Sequence, residues 1–159
     1  MSIYDELGVK QVINAHATLT RLGGSIMPPE VIAAMQEAAG WFIDLDELQA
    51  RVGARLAELT RNEATYVSTG AAAGIVLAVA ACVTRGDRAL MARLPDTTGM
   101  KNEALVFKSH RNGYDHAIRN VRLKIVEVGD GATCAPADLE AAIGDRSAAF
   151  VWFQGAMSG

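Results

Sequence analysis

Residues 64–84, ATYVSTGAAAGIVLAVAACVT, contain no charged side chain. Their helical part, Ala71 to Val83, is shorter than the roughly 20 residues that cross a bilayer, so the helix has to be covered by protein. A helix apolar on every side belongs in the core of a domain. Ahead of it, a β-branched run ends in Ser68-Thr69-Gly70. That pattern predicts a strand over 64–68, a tight turn, and a helix from about 70 to 84.

The rest of the chain reads as the elements that surround this helix. Residues 1–27 form an arm without helical period. Pro28-Pro29 then suits a helix start, with Val31, Met35, Ala38 and Phe42 at helical spacing. Asp44 and Glu47 make a variant of the capping box ahead of the stripe Leu45, Leu48, Val52, Leu56 and Leu59. After residue 61 the pattern alternates. Short strands are predicted near 88–92 and 104–108, a helix over Tyr114–Asn120, and a strand over 123–128. APADLEAAIG reads as a helix with Pro136 in its first turn and Gly144 closing it. SAAFVWF, 147–153, is near-continuously apolar, as in a strand covered on both faces.

Strands alternating with helices predict an α/β fold with a mostly parallel sheet flanked by helices. The division expected is an arm with two helices over 1–60, then the first part of an α/β domain over 61–159. The sequence stops at QGAMSG just after a strong strand, an abrupt end that suggests a truncated part of a longer protein.

Composition narrows the function classes. Of 159 residues, 50% are hydrophobic and 21% charged, which suits a globular chain rather than a disordered one. A net charge of −3 without any basic block argues against a nucleic-acid partner. Cys82, in the apolar helix, and Cys134 have neither CxxC nor metal-ligand spacing, and suit the cytoplasm as free, buried thiols. SIYDELGVKQ after Met1 has no apolar signal segment, and no membrane partner is expected.

Two segments offer chemistry. A tight turn into a helix leaves the first backbone N–H groups without partners, and those groups together with the helix dipole suit a phosphate. Gly70 lets an anion approach, Ser68 or Thr69 adds a hydroxyl, and Ala71 and Ala72 keep the approach clear. The competing reading is a helix cap with no ligand, since neither G-x-x-x-x-G-K-[ST] nor G-x-G-x-x-G is present. In FKSHRNGYDHAIRN, 107–120, a strand end is crowded with His110, Arg111, Asn112, Tyr114, Asp115 and His116. Ligands gather beyond the carboxyl ends of parallel strands, so His110 could stack on a flat ring there; a polar cap is the alternative. His110 and His116 lack the further ligands of a metal site. In the arm, Arg21 could clamp an anionic group or simply be a surface arginine.

The ordered set VINAHATLTRLGGS, MPPEVIAAM, DLDELQARVGARLAELT, NEATYVSTGAAAG and HRNGYDHAIR resembles the SelA-like enzymes, the family of selenocysteine synthase and of D-glucosaminate-6-phosphate ammonia-lyase relatives. This resemblance covers essentially the whole chain and implies the large domain of a fold type I enzyme that uses pyridoxal 5'-phosphate. Carried over, it makes Ser68, Thr69, Gly70, Ala71 and Ala72 the turn that holds the cofactor phosphate, and His110 the residue stacked on the pyridine ring. It also implies that the arm with Asn14 and Arg21 folds over the active-site mouth. Arg61 departs from the pattern, which has glycine there.

The lysine that binds the cofactor covalently, and the acid facing the ring nitrogen, belong to segments this sequence does not contain. Lys10, Lys101, Lys108 and Lys124 lie in none of those contexts, so no catalytic residue is assigned and the 159 residues alone are expected to be inactive. The resemblance implies elimination chemistry on an amino acid or amino sugar acid, with Arg21 or Arg111 meeting anionic groups of the substrate, in a homodimer or larger homo-oligomer. Selenium transfer to seryl-tRNA, a noncatalytic α/β module and a nucleotide-binding domain are the alternatives.

Overall fold

A computed structural model describes residues 2–153; the closing QGAMSG lies outside the described residues. The chain divides into two compact units, residues 1–48 and 49–159.

The first unit begins with α1 (Ile3–Glu6), whose first turn is closed by a reciprocal capping box between Ser2 and Asp5. The arm is knitted by Asn14, whose amide donates to the carbonyls of Ala17 (2.8 Å) and Gly24 (3.3 Å) while its oxygen accepts from the His16 N–H (2.8 Å). In α2 (Pro29–Ala38), Pro29 occupies the first helical position as expected. The apolar spacing that extends to Phe42 overruns this helix, which ends at Ala38-Ala39 ahead of Gly40. Residues 2–48 include no buried residue.

The second unit takes in most of α3 (Leu45–Thr60) as well as the α/β part that the sequence reading starts at residue 61. The Asp44 carboxylate caps α3, accepting from the N–H groups of Asp46 (2.9 Å) and Glu47 (3.0 Å). After α3 come α4 (Ala71–Thr84), α5 (Arg88–Arg93), β1 (Glu103–Phe107), α6 (His116–Arg119), β2 (Lys124–Val128), α7 (Pro136–Ala142) and β3 (Ser147–Val151). The three strands form one parallel sheet in the order β2-β1-β3. Its amino ends are tied by the Glu103 carboxylate, which meets Arg146 at 2.6 Å and Lys124 at 3.8 Å.

Several expectations need correction. Residues 64–68 are not a strand. They have no sheet partner among the described residues and are held by α3 instead: Gln49 donates its side-chain amide to the Val67 carbonyl at 2.6 Å. Residues 88–92 belong to α5. Arg, Ala, Leu and Met favour a helix, and the Asp87 carboxylate caps it by accepting from Ala89 (2.8 Å) and Leu90 (3.2 Å). β3 stops at Val151 and is not covered on both faces: Ala104, Leu105 and Val106 of the central β1 are buried, whereas Phe150 of β3 is exposed. The helix over 136–142 ends on extended Ile143 rather than on a left-handed Gly144.

The core joins Val79 and Val83 of α4, Ala104 and Val106 of β1, and Ile118, Val121 and Leu123. So α4 buries one face only, and the expectation of a helix covered on every side is corrected: Leu77 and Cys82 are exposed, which also puts the expected buried thiol at the surface. Cys134 is half-buried, and burial raises its thiol pKa. Among the described residues no helix is long and apolar enough to cross a membrane.

Candidate functional site

The turn before α4 settles the local contest between a cap and an open helix end. The N-cap residue is Gly70, and no side chain caps the helix. Ser68 faces the other way: its hydroxyl donates to the Gly70 carbonyl at 3.0 Å instead of accepting from the helix. The first intrahelical bond is Gly74 N–H to Gly70 C=O at 2.9 Å, so the amides of Ala71, Ala72 and Ala73 precede the ladder. Gly70 has φ 136° and ψ 171°, a conformation that favours glycine, and a Cβ there would meet nothing within 4 Å. The helix therefore begins with uncapped N–H groups and small residues, and with open space beside Gly70.

What fixes this turn lies on α3. A Cβ at Gly53 would overlap the Thr65 carbonyl oxygen, so only glycine lets the 62–68 segment cross α3 this closely. A Cβ at Gly74 would lie 3.3 Å from the Ser68 hydroxyl, so small size at that position keeps Ser68 against the helix.

The sheet supplies the second cluster. Beyond β1, a turn of 3-10 helix over Lys108–His110 delivers a buried His110. Its ring packs edge-on to Phe107 (centroids 5.2 Å, 67°) and lies nearly parallel to Trp152 (6.4 Å, 7°). The Phe153 N–H donates to His110 Nδ1 at 3.4 Å. These contacts join the carboxyl ends of the paired strands β1 and β3.

A groove of about 660 Å³ runs along α4, lined by Ser68 and Gly74 near its start and by Thr84 and Leu94 at its far end. A second cavity of about 440 Å³ is lined by Arg93, Pro95, Asn102 and Arg122, the last two just ahead of β1 and β2.

The arginines differ from one another. Arg111 is engaged by two carboxylates, Nε donating to Asp115 and Nη1 to Glu127. The hydrogen bond to Asp115 holds its pKa above the ordinary arginine value. As a substrate contact it would share its charge with both acids. Asp115 is buried, and its second oxygen, Oδ1, is the one sealed side-chain atom without a partner among the described residues. Arg21 lies in a 3-10 turn, Thr20–Leu22, of the first unit. Among the described residues no group of three or more His, Cys, Asp and Glu could hold a metal ion.

Sequence reasoning missed Trp152 and the Phe153 amide, because both were absorbed into an apolar run read as strand. The one available signal was two aromatic residues at the carboxyl end of a parallel strand. Gln49 and Gly53 were missed for a different reason, since nothing local marks a helix residue that supports a distant turn.

No family model matches the chain. It is 39% identical over 155 residues to a D-glucosaminate-6-phosphate ammonia lyase of Salmonella typhimurium (strain 14028s / SGSC 2262), a match covering 95% of this chain and 42% of that protein. A 5'-C-glycyluridine monooxygenase-decarboxylase of Streptomyces sp is 38% identical over 154 residues, covering 94% of this chain and 39% of that protein. A solved D-glucosaminate-6-phosphate ammonia-lyase structure superposes with a TM-score of 0.90 at 40% identity, over 94% of this chain and 42% of that one. The homologues are enzymes, and the α/β fold matches part of a solved ammonia-lyase. The chain spans about two fifths of the length of these relatives.

Proposed function

We propose that these residues form the cofactor-phosphate portion of a pyridoxal-phosphate-dependent enzyme that eliminates ammonia from an amino acid or amino sugar acid, as the name of the Salmonella relative describes for that protein. One observation carries this reading: α4 opens on uncapped amides behind a glycine with free space before it. The residues present fit the group. A phosphate would lie on the N–H groups of Ala71 and Ala72 with Gly70 and the Thr69 hydroxyl beside it, favoured by the helix dipole, while Ser68, whose hydroxyl donates to the Gly70 carbonyl, shapes the turn. His110 offers the flat face for the pyridine ring. When bound, pyridoxal phosphate supplies an electron sink for the bond broken next to the substrate's amino group. Arg21 or Arg111 is the cation that would meet the substrate's anionic groups.

The two enzyme relatives bear names of different reactions at nearly equal identity. That supports a division of labour in which these residues hold a shared cofactor and other segments select the chemistry. None of the chain's own lysines lies in a cofactor-binding context, so the 159 residues alone are expected to bind without turnover. The working protein is further read as a cytoplasmic homodimer or larger homo-oligomer, without a nucleic-acid or membrane partner.

Equilibrium binding of pyridoxal 5'-phosphate to the chain tests the reading, with inorganic phosphate as competitor. Wild type should bind the cofactor and lose it to phosphate. Ala72→Asp is the decisive variant, because an acid in the first turn favours the helix yet repels a phosphate. It should abolish binding while thermal stability is kept. Binding that ignores both phosphate and this substitution would overturn the proposal.

A further inference from the structure

His110 is gripped on three sides, and the grip specifies which of its nitrogens bears the proton. Phe107 packs against it edge-on, Trp152 lies parallel to it at a centroid distance of 6.4 Å, and the Phe153 N–H points at Nδ1 from 3.4 Å. An N–H donor can be received only by a bare ring nitrogen, so Nδ1 is the acceptor and the proton resides on Nε2. Among the described residues no hydrogen-bond partner engages Nε2, and the ring sits at the carboxyl ends of β1 and β3.

We infer that Trp152 and the Phe153 amide are positioning groups that hold His110 in the single Nε2–H tautomer, so that it acts toward a bound ligand as a hydrogen-bond donor to an oxygen acceptor as well as a flat surface. The donor part rests on the proposed cofactor reading; the tautomer part does not. Because the amide belongs to residue 153, directly after Trp152, the seating of the indole controls where that N–H points. Trp152 is 63% exposed, so truncating it removes a positioning contact rather than a piece of the core.

The experiment is a long-range proton–nitrogen correlation spectrum of the chain labelled with ¹⁵N-histidine, recorded near about pH 8, above the ordinary imidazole pKa of about 6.5. There are three histidines, and the His110→Phe spectrum identifies which signals belong to His110. Wild type should show His110 protonated at Nε2 only. Trp152→Ala should give tautomer averaging, and Trp152→Phe should restore the single form. Adding pyridoxal 5'-phosphate should move the Nε2 signal. His110→Phe, which keeps a ring but has no donor, should bind the cofactor about 10-fold more weakly, the size of one hydrogen bond.

A wild-type His110 protonated at Nδ1, or averaging between tautomers, overturns the lock. Unchanged tautomer populations in Trp152→Ala overturn the role of Trp152. Equal cofactor affinity of His110→Phe and wild type overturns the donor role. Failure of wild type to bind the cofactor at all, with the tautomer intact, removes the cofactor reading and the donor role together while the lock stands.

Discussion

Arg61 follows α3 at φ 57°, in the left-handed region. Its N–H meets the Glu58 carbonyl (3.3 Å), and the Asn62 N–H meets that of Ala57 (3.0 Å), a Schellman ending with arginine where glycine is usual. The departure visible in the sequence therefore has a physical meaning. A side chain in this conformation costs about 1–2 kcal/mol, while glycine would give back roughly 0.5–1 kcal/mol through the entropy of the unfolded chain. Arg61→Gly should raise stability by about 0.5–1 kcal/mol, read as a higher urea midpoint at unchanged slope. The opposite sign holds at Gly53. There the added methyl of Gly53→Ala has only the Thr65 backbone to push against, and overpacking of this kind costs about 1–3 kcal/mol. A urea midpoint equal to that of wild type would show that α3 and the 62–68 segment are not in contact.

At the scale of elements, the turn ahead of α4, proposed above to hold a phosphate, is tied to α3. Gln49 reaches the Val67 carbonyl at 2.6 Å, just before Ser68. Deleting one such hydrogen bond removes about 1 kcal/mol. Gln49→Ala should therefore leave the sheet intact by circular dichroism but weaken pyridoxal 5'-phosphate binding by up to about 5-fold. Equal affinity would mean the turn holds its shape without this tie. The same pair shows what sequence could and could not reveal. Helices α2, α3, α4 and α7 and strands β1 and β2 follow from periodicity and caps, because those signals are local. The segment 64–68 has strand composition and no strand partner, and its true support lies 18 residues away on α3. Asp87 caps α5 through its carboxylate, a local signal that the strand reading of 88–92 leaves out. Within the proposed site, Ser68 to Ala72 and His110 come from the residues and the resemblance. The Trp152–Phe153 support was not, since register and strand ends emerge only when β3 pairs with β1.

For the molecule as a whole, the contrast between the two units decides how it opens. All buried side chains among the described residues lie beyond residue 48. The main cluster of them converges from α4, β1 and α6, with Val121 and Leu123 beside them. Protection against hydrogen exchange follows buried contacts. The slowest amides should therefore be those of β1 and the Val79–Thr84 end of α4, exchanging through global unfolding. Amides of α2 should exchange far faster despite its regular helix, because a helix of 10 residues without buried side chains is marginal by itself. Exchange followed by mass spectrometry at the peptide level separates these cases. Denaturant should accelerate β1 peptides in step with global unfolding and leave α2 peptides nearly unaffected. Protection of α2 equal to that of β1 would require α2 to be buried by something absent from this chain's own fold, such as a second copy. Dilution would then expose it, since protection that depends on association falls with protein concentration, whereas protection from a core within one chain does not.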